Sequence, residues 1–360
     1  MAFRGSRVLG GALVALGVFA FAARTHWAIA AEPPARESHP GLDVRYEALA
    51  IGTGRSVQTV TTLPRGAANV PLIVFIPWLS CDAVDYPKGP GDGWGRMLID
   101  LARNSGAALV RVERSGNGIG TGPKCEDADL EADIAGFRAA LAHAMRMPEI
   151  DPARVFLMGG SIGASLAPVL ARGVPLAGIV ATGGHYKTWL EHMLEIERRR
   201  LRLTGSAPAK VTAAMRGYAD FYSLYLNGKM TPRAVLAMRP ELAPLWIDEP
   251  ERQYGRPARY YQQVQALDVA GAWDDVRVPV LVIYGEYDWI MSRDDQDLIV
   301  ATVNRNRPGT ATLVVVPKMD HHMALYETPE KAIREEGGRY ASVVADEIRR
   351  WMSAVKPAQR

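Results

Sequence analysis

Five consecutive apolar residues, Leu72-Ile73-Val74-Phe75-Ile76, run up to Pro77 without a polar position. Such a run fits a strand buried on both faces, as in a parallel sheet covered by helices. Ahead of it, β-type stretches at Val44–Ala50 and Val57–Leu63 flank Gly52-Thr53-Gly54-Arg55, which predicts a hairpin. Behind it the period changes repeatedly. Met97, Leu98 and Leu101 give helical spacing over Gly93–Ser105, Ala107–Val112 reads as a strand, and Leu130, Ile134, Phe137, Leu141 and Met145 form one stripe of a helix over Asp127–Met147. Strand Val155–Met158, helix Ile162–Arg172 and strand Ala177–Thr182 follow. Later come strands Val280–Tyr284 and Thr312–Val316, and a closing helix around Tyr340–Ser353. Alternation of this kind predicts an α/β fold with a doubly wound, mostly parallel sheet.

The rhythm stops between Gly183 and Ala272, a helix-prone stretch rich in Arg, Met, Leu and Tyr. An insertion inside a regular α/β series is most simply a helical cap over the carboxyl edge of the sheet, where ligands bind in open α/β folds. The predicted organisation is therefore a core over 42–183 and 273–360, interrupted by a cap over 184–272. Residues 31–41, rich in Pro and Glu, read as a linker.

Arg4 and Arg7 precede an apolar run from Val8 to Ala23, and Ala28-Ile29-Ala30 follows. A basic start, an apolar stretch too short to span a bilayer and small residues two apart predict a signal peptide over 1–30, cleaved after Ala30 or one residue later. An uncleaved anchor over 8–23 is the alternative. This segment holds three arginines and no acid, the whole of the chain's formal charge of +3, so that charge implies no acidic partner. The 360 residues, 48% apolar and 22% charged, argue against disorder and against a polytopic membrane protein.

The chemistry concentrates in Met158-Gly159-Gly160-Ser161-Ile162-Gly163. G-x-S-x-G between a strand and a helix is the context of a nucleophile elbow, in which a tight turn lifts the serine hydroxyl clear of the sheet. A phosphate-binding loop needs another spacing and a Lys. A serine needs a base, and the base an orienting acid. Gly285-Glu286-Tyr287-Asp288 and Met319-Asp320-His321-His322 follow two buried strands, in the order serine, acid, histidine. On these three motifs the chain resembles an α/β-hydrolase-fold serine hydrolase from about Val44 to Trp351. The esterase and prolyl-oligopeptidase-like branches are not separated.

The resemblance implies Ser161 as nucleophile, Asp288 as acid and His321 as base. His322 is the rival base, and Glu286 and Asp320 are rival acids. It also implies an oxyanion hole from the Ile162 amide and one from the turn after Leu72–Ile76. There the family's frequent His-Gly is replaced by Pro77-Trp78-Leu79-Ser80-Cys81. Pro77 has no N–H to give, so Leu79 is the expected donor by register, with Trp78 the alternative. Cys81 and Cys125 follow two neighbouring strands, and export would favour a bridge between them.

Arg111-Val112-Glu113-Arg114-Ser115-Gly116 lacks a dinucleotide fingerprint and reads as structural, and Arg198-Arg199-Arg200-Arg202 as a solvated helix face. His185, His192, His321 and His322 lack zinc-site spacing, so no metal or other cofactor is expected. Nothing suggests a nucleic-acid partner. The expected function is an exported serine hydrolase acting on a small-molecule ester or acyl substrate, without stable membrane insertion once the signal is cleaved. Peptide or amide cleavage, acyl transfer and thioester cleavage use the same residues, and a non-catalytic binding protein is the alternative of another class. Trp189, Trp246 and the insertion's Tyr218, Tyr222, Tyr225, Tyr260 and Tyr261 suggest an apolar or aromatic substrate group, or simply helix packing.

Overall fold

The run Leu72–Ile76 lies at the middle of an eight-stranded sheet. The computed structural model describes residues 35–358. The signal peptide expected over 1–30, and residues 31–34 of the expected linker, lie outside the described residues.

Strands β1 (Leu42–Gly52) and β2 (Arg55–Pro64) form the expected hairpin. They are followed by β3 (Val70–Ile76), helix α1 (Gly93–Asn104), β4 (Ala108–Val112), α2 (Leu130–Ala144), β5 (Ile150–Gly160), α3 (Ile162–Ala171) and β6 (Gly178–Thr182). Between β6 and the next strand of the main sheet come α4 (Trp189–Leu203), α5 (Pro208–Tyr222), α6 (Pro232–Met238), the two-residue strands β7 (Arg252–Gln253) and β8 (Arg256–Pro257), α7 (Ala258–Gln265) and α8 (Val269–Asp274). The chain closes with β9 (Val280–Gly285), α9 (Arg293–Asn306), β10 (Ala311–Val316), α10 (Pro329–Ile333) and α11 (Val343–Ala354), with small β-contacts between them.

The sheet order is β1-β2-β4-β3-β5-β6-β9-β10. The first two strands run antiparallel, and the remaining six are mutually parallel. The fold is therefore the doubly wound α/β sheet that the pattern predicts. Alternation along β3 feeds both layers, because successive side chains leave a strand on opposite faces. Leu72, Val74 and Ile76 join α2, α3 and α9 in one core, whereas Ile73 and Phe75 pack with α1 and α11 in the other. Since β3 and β5 adjoin at the centre, their carboxyl ends bring the 77–81 loop and the Ser161 turn side by side.

One helix, α9, had no apolar stripe to announce it. Its inward positions include Asp295, Gln296 and Thr302 beside Ile299 and Val303. Asp295 accepts from the amides of Tyr186 and Lys187, and Gln296 donates to the Gly184 carbonyl. This polar face holds the loop that follows β6.

Within the stretch read as a linker, Glu37 and His39 are buried. Arg111, 1% exposed on β4, grips Glu37 with Nη1 at 2.6 Å and Nη2 at 2.8 Å. His39 lies 2.9 Å from the same carboxylate, and the Tyr86 amide donates to it at 2.6 Å. Burial pushes the Glu37 carboxyl up, but Arg111, His39 and the Tyr86 amide outweigh it and bring it down to about 2.

Glu37→Gln strands the Arg111 charge in the interior and is expected to cost about 3 kcal/mol, read as a shift in urea midpoint at pH 7. The ordinary value for the carboxyl is 4.5, so its contribution is complete above that pH and fades as pH falls toward about 2. Urea titrations from neutral to acid pH should show the variant lacking this share of the acid-side loss. A variant that loses stability in parallel with wild type would refute the assignment.

Candidate active site

The turn from β5 into α3 is built on two close approaches. A Cβ on Gly159 would lie 2.3 Å from the Gly163 carbonyl oxygen, and one on Gly163 would lie 2.1 Å from the Ile76 carbonyl oxygen. Glycine at both positions lets α3 start against β3. Ser161 between them takes φ 56° and ψ −125°, a region that L-residues rarely occupy. Its amide donates to the Thr182 carbonyl at 2.9 Å, which locks the turn to β6. Its hydroxyl makes no capping bond to the helix, so Oγ is left for other work. Ile162 opens α3, and an amide at that position has no acceptor within its own helix.

Asp288 stands just beyond β9. Its Oδ1 accepts from the amides of Ile290 and Met291 at 2.9 and 2.8 Å, and its Oδ2 meets His321 Nδ1 at 2.8 Å. A carboxylate only accepts, so Nδ1 carries the proton and Nε2 is the free base nitrogen of the neutral ring. The two loops are stitched together: the Tyr287 amide donates to the Met319 carbonyl and the Glu286 amide to that of Val316. Trp94 packs edge-on to His321, with ring centroids 6.1 Å apart.

The rivals have other partners, although His322 also lines the cavity that Ser161 and His321 share. His322 sits against Asp320 at 3.5 Å and Glu335 at 3.8 Å. Burial pushes its imidazole down, and these carboxylates outweigh that and raise it. Glu286 accepts from the Lys318 amide, and Asp320 accepts from those of His322 and Ala324, so both shape turns.

Ser161, Ile162, Trp78, Leu79 and His321 line one cavity of about 320 Å³. Asp288 stands behind His321. Trp94, Trp189, Trp289 and Tyr254 give the wall an aromatic surface. Trp246 packs on Phe221, with centroids 4.8 Å apart, and does not line the cavity. Trp94, Tyr254 and Trp289 escaped the sequence reading; only Trp289, adjacent to the acid turn, carried a positional cue.

Cys81 and Cys125 form a disulfide, with Cα atoms 5.7 Å apart. His185 and His192 are buried and stacked, and desolvation pushes both imidazoles down, so neither is charged at neutral pH. Among the described residues no cluster of ligating side chains could hold a metal ion. Nor is any helix there long and apolar enough to cross a membrane. Arg199, read as part of a solvated face, instead donates from α4 to the carbonyls of Trp289 and Ile290 and so braces the loop that carries Asp288.

Residues 73–336 match the Alpha/beta hydrolase family. The chain belongs to that family. Esterase EstD of Thermotoga maritima is 23% identical over 295 residues, which cover 81% of this chain and 64% of that protein, so the chain spans under two thirds of this relative's length. Among solved structures, Est1E from Butyrivibrio proteoclasticus superposes with a TM-score of 0.53 at 13% identity, covering 86% of this chain and 97% of its own. The Pyrobaculum calidifontis esterase gives 0.51 at 16% identity, covering 87% of each chain. Both similarities are of fold.

As an alpha/beta hydrolase, the chain presents a buried nucleophile candidate, a histidine whose tautomer is set by a carboxylate, and backbone amides at a helix start. Such an arrangement can activate a hydroxyl and stabilise an oxyanion in one cavity. Its geometry hangs on the Gly163 contact. Gly163→Ala is expected to push α3 off β3 and lower stability by about 3 kcal/mol, measured by chemical denaturation. A variant within error of wild type would show that the elbow does not depend on this approach.

Proposed function

We propose that the chain is a serine hydrolase of carboxylic esters. The observation that carries this reading is the buried His321–Asp288 hydrogen bond, whose histidine lines the same cavity as Ser161 at its strained turn. In this reading Ser161 Oγ attacks the ester carbonyl carbon while His321 Nε2 takes its proton. The Ile162 and Leu79 amides stabilise the oxyanion of the tetrahedral intermediate. Collapse expels the alcohol, which takes the proton back from His321. Water, deprotonated by the same histidine, then releases the acid from the acyl-enzyme. Asp288 holds the ring and stabilises the imidazolium.

The stretch 184–272 acts as the cap of this site, since Trp189, His192, Ile196 and Tyr254 belong to the cavity wall. That wall favours an ester with an uncharged aromatic or bulky apolar group. The apolar N-terminal run, with its arginines and Ala28-Ile29-Ala30, supports export with cleavage near Ala30.

A fluorophosphonate probe should label wild type and not Ser161→Ala, which should also lower kcat at least about 10⁴-fold. Asp288→Asn should lower kcat by a similar order while KM changes little, and Glu286→Gln should leave the rate essentially intact. Equal labelling of wild type and Ser161→Ala would defeat the proposal. Rates on p-nitrophenyl esters of increasing size, set against aminoacyl amides, measure the substrate preference. N-terminal sequencing of exported protein should begin near Ala31; a start at Met1 or Ala2 would reject cleavage.

A further inference from the structure

The hairpin β7–β8 meets both the cavity and the loop after β3. Tyr254, in its turn, lines the cavity. Arg256, two residues later, is wholly buried. Its Nη1 lies 2.6 Å from Cys125 Sγ and 3.7 Å from Cys81 Sγ, and its Nη2 donates to Asp133 Oδ2 at 2.7 Å. The same carboxylate oxygen takes Arg114 Nη1 at 3.3 Å, and Arg114 Nη2 donates to the Pro77 carbonyl at 3.2 Å. Two chains of contact thus leave Arg256. One runs through the disulfide to Cys81, and the other through Asp133 and Arg114 to Pro77. They end on either side of Leu79.

Arg256 also stacks on Tyr260, its guanidinium carbon 4.2 Å from the ring centroid, which offsets part of the cost of burying it. Arg114 and Asp133 already make a neutral buried pair, and Arg256 adds a desolvated positive charge that an apolar side chain would avoid. What Arg256 adds is a fixed position for both ends of a short loop. We infer that Arg256 is a positioning residue for the oxyanion hole: by clamping Pro77–Cys81 it fixes the Leu79 amide, and it makes the hairpin that touches the substrate also the support of that donor. The inference rests on the ester-hydrolase reading above.

Arg256→Met keeps the Arg114–Asp133 pair intact and is the decisive variant. The expected result is a fall in kcat of about tenfold or more with KM within about threefold, because a misplaced oxyanion donor weakens the transition state and not the ground state. The Ki of a trifluoromethyl ketone, whose adduct with Ser161 places an oxyanion in the hole, should rise by the same factor as kcat/KM falls. Arg256→Lys keeps the charge but not the fork, and should show the same split to a smaller extent. Wild-type kcat and Ki per titrated active site in the folded Met variant would overturn the inference, whatever its melting temperature. Should the Met variant fail to fold, the Lys variant decides, with the split supporting the inference and wild-type values overturning it. A wild-type protein without esterase activity, or an equally active Ser161→Ala, would instead remove the reading beneath it.

Discussion

The contact of Gly163 with the Ile76 carbonyl is the constraint on which the site depends. No side chain fits between α3 and β3 at that point, where a Cβ would stand 2.1 Å from the oxygen. This closeness does two things at once. It forces the chain to leave β5 through the positive-φ turn at Ser161, which turns the hydroxyl out of the helix start. It also sets the beginning of the Pro77–Cys81 loop against the amino end of α3, so that two segments far apart in sequence line one cavity. Backbone donors fixed by packing need no reorganisation as charge develops, and that is the condition under which they are most effective.

The other half of the site is fixed by different means. Asp288 and His321 lie on loops beyond parallel neighbours, and such loops have no regular partner of their own. Here they bind each other: Gly285 approaches the Met319 carbonyl so closely that a Cβ would stand 2.4 Å away, and the amides of Glu286 and Tyr287 find acceptors on the β10 side. Arg199 braces the following residues from α4, while Asp295 and Gln296 hold the loop after β6. The His321–Asp288 hydrogen bond is therefore the end of a hydrogen-bonded network and not an isolated pair.

How much of this was legible follows from which forces leave a local trace. Buried parallel strands are written as apolar runs, and the elbow as glycines at fixed offsets from a serine. Both were readable, as were the sheet type and the residues found as the His321–Asp288 pair and, on the same cavity as His321, Ser161. Helix α9 was not, because its buried face is half polar and its period is masked. Glu37 was not, because its partner Arg111 is 74 positions away and a charged residue beside prolines looks like tether. Arg199 sat in a cluster of four arginines within five positions that looked uniformly solvated. Arg256 lay in a stretch whose composition said only that it was helix-prone. In each case a charged or polar side chain is held by a distant partner, which no local window contains.

These distant charges share a pattern that bears on how the fold can carry a site at all. Arg111, Arg114 and Arg256 are all buried to within about one per cent, and each reaches into irregular chain: the segment before β1, the loop after β3, the disulfide between two loops. The parallel strands at the centre of the sheet pack through apolar side chains on both faces. Loops at the carboxyl edge have little apolar surface to bury, and a hydrophobic contact is non-directional, so it would fix such a loop only loosely. A guanidinium offers five donors in a rigid plane and can hold a carbonyl, a carboxylate and a sulfur at set angles at once. Desolvating it is costly, and the cost falls where position matters more than stability. The apolar sheet thus supplies the margin, and the buried arginines spend part of it to turn flexible edge loops into defined walls of the cavity.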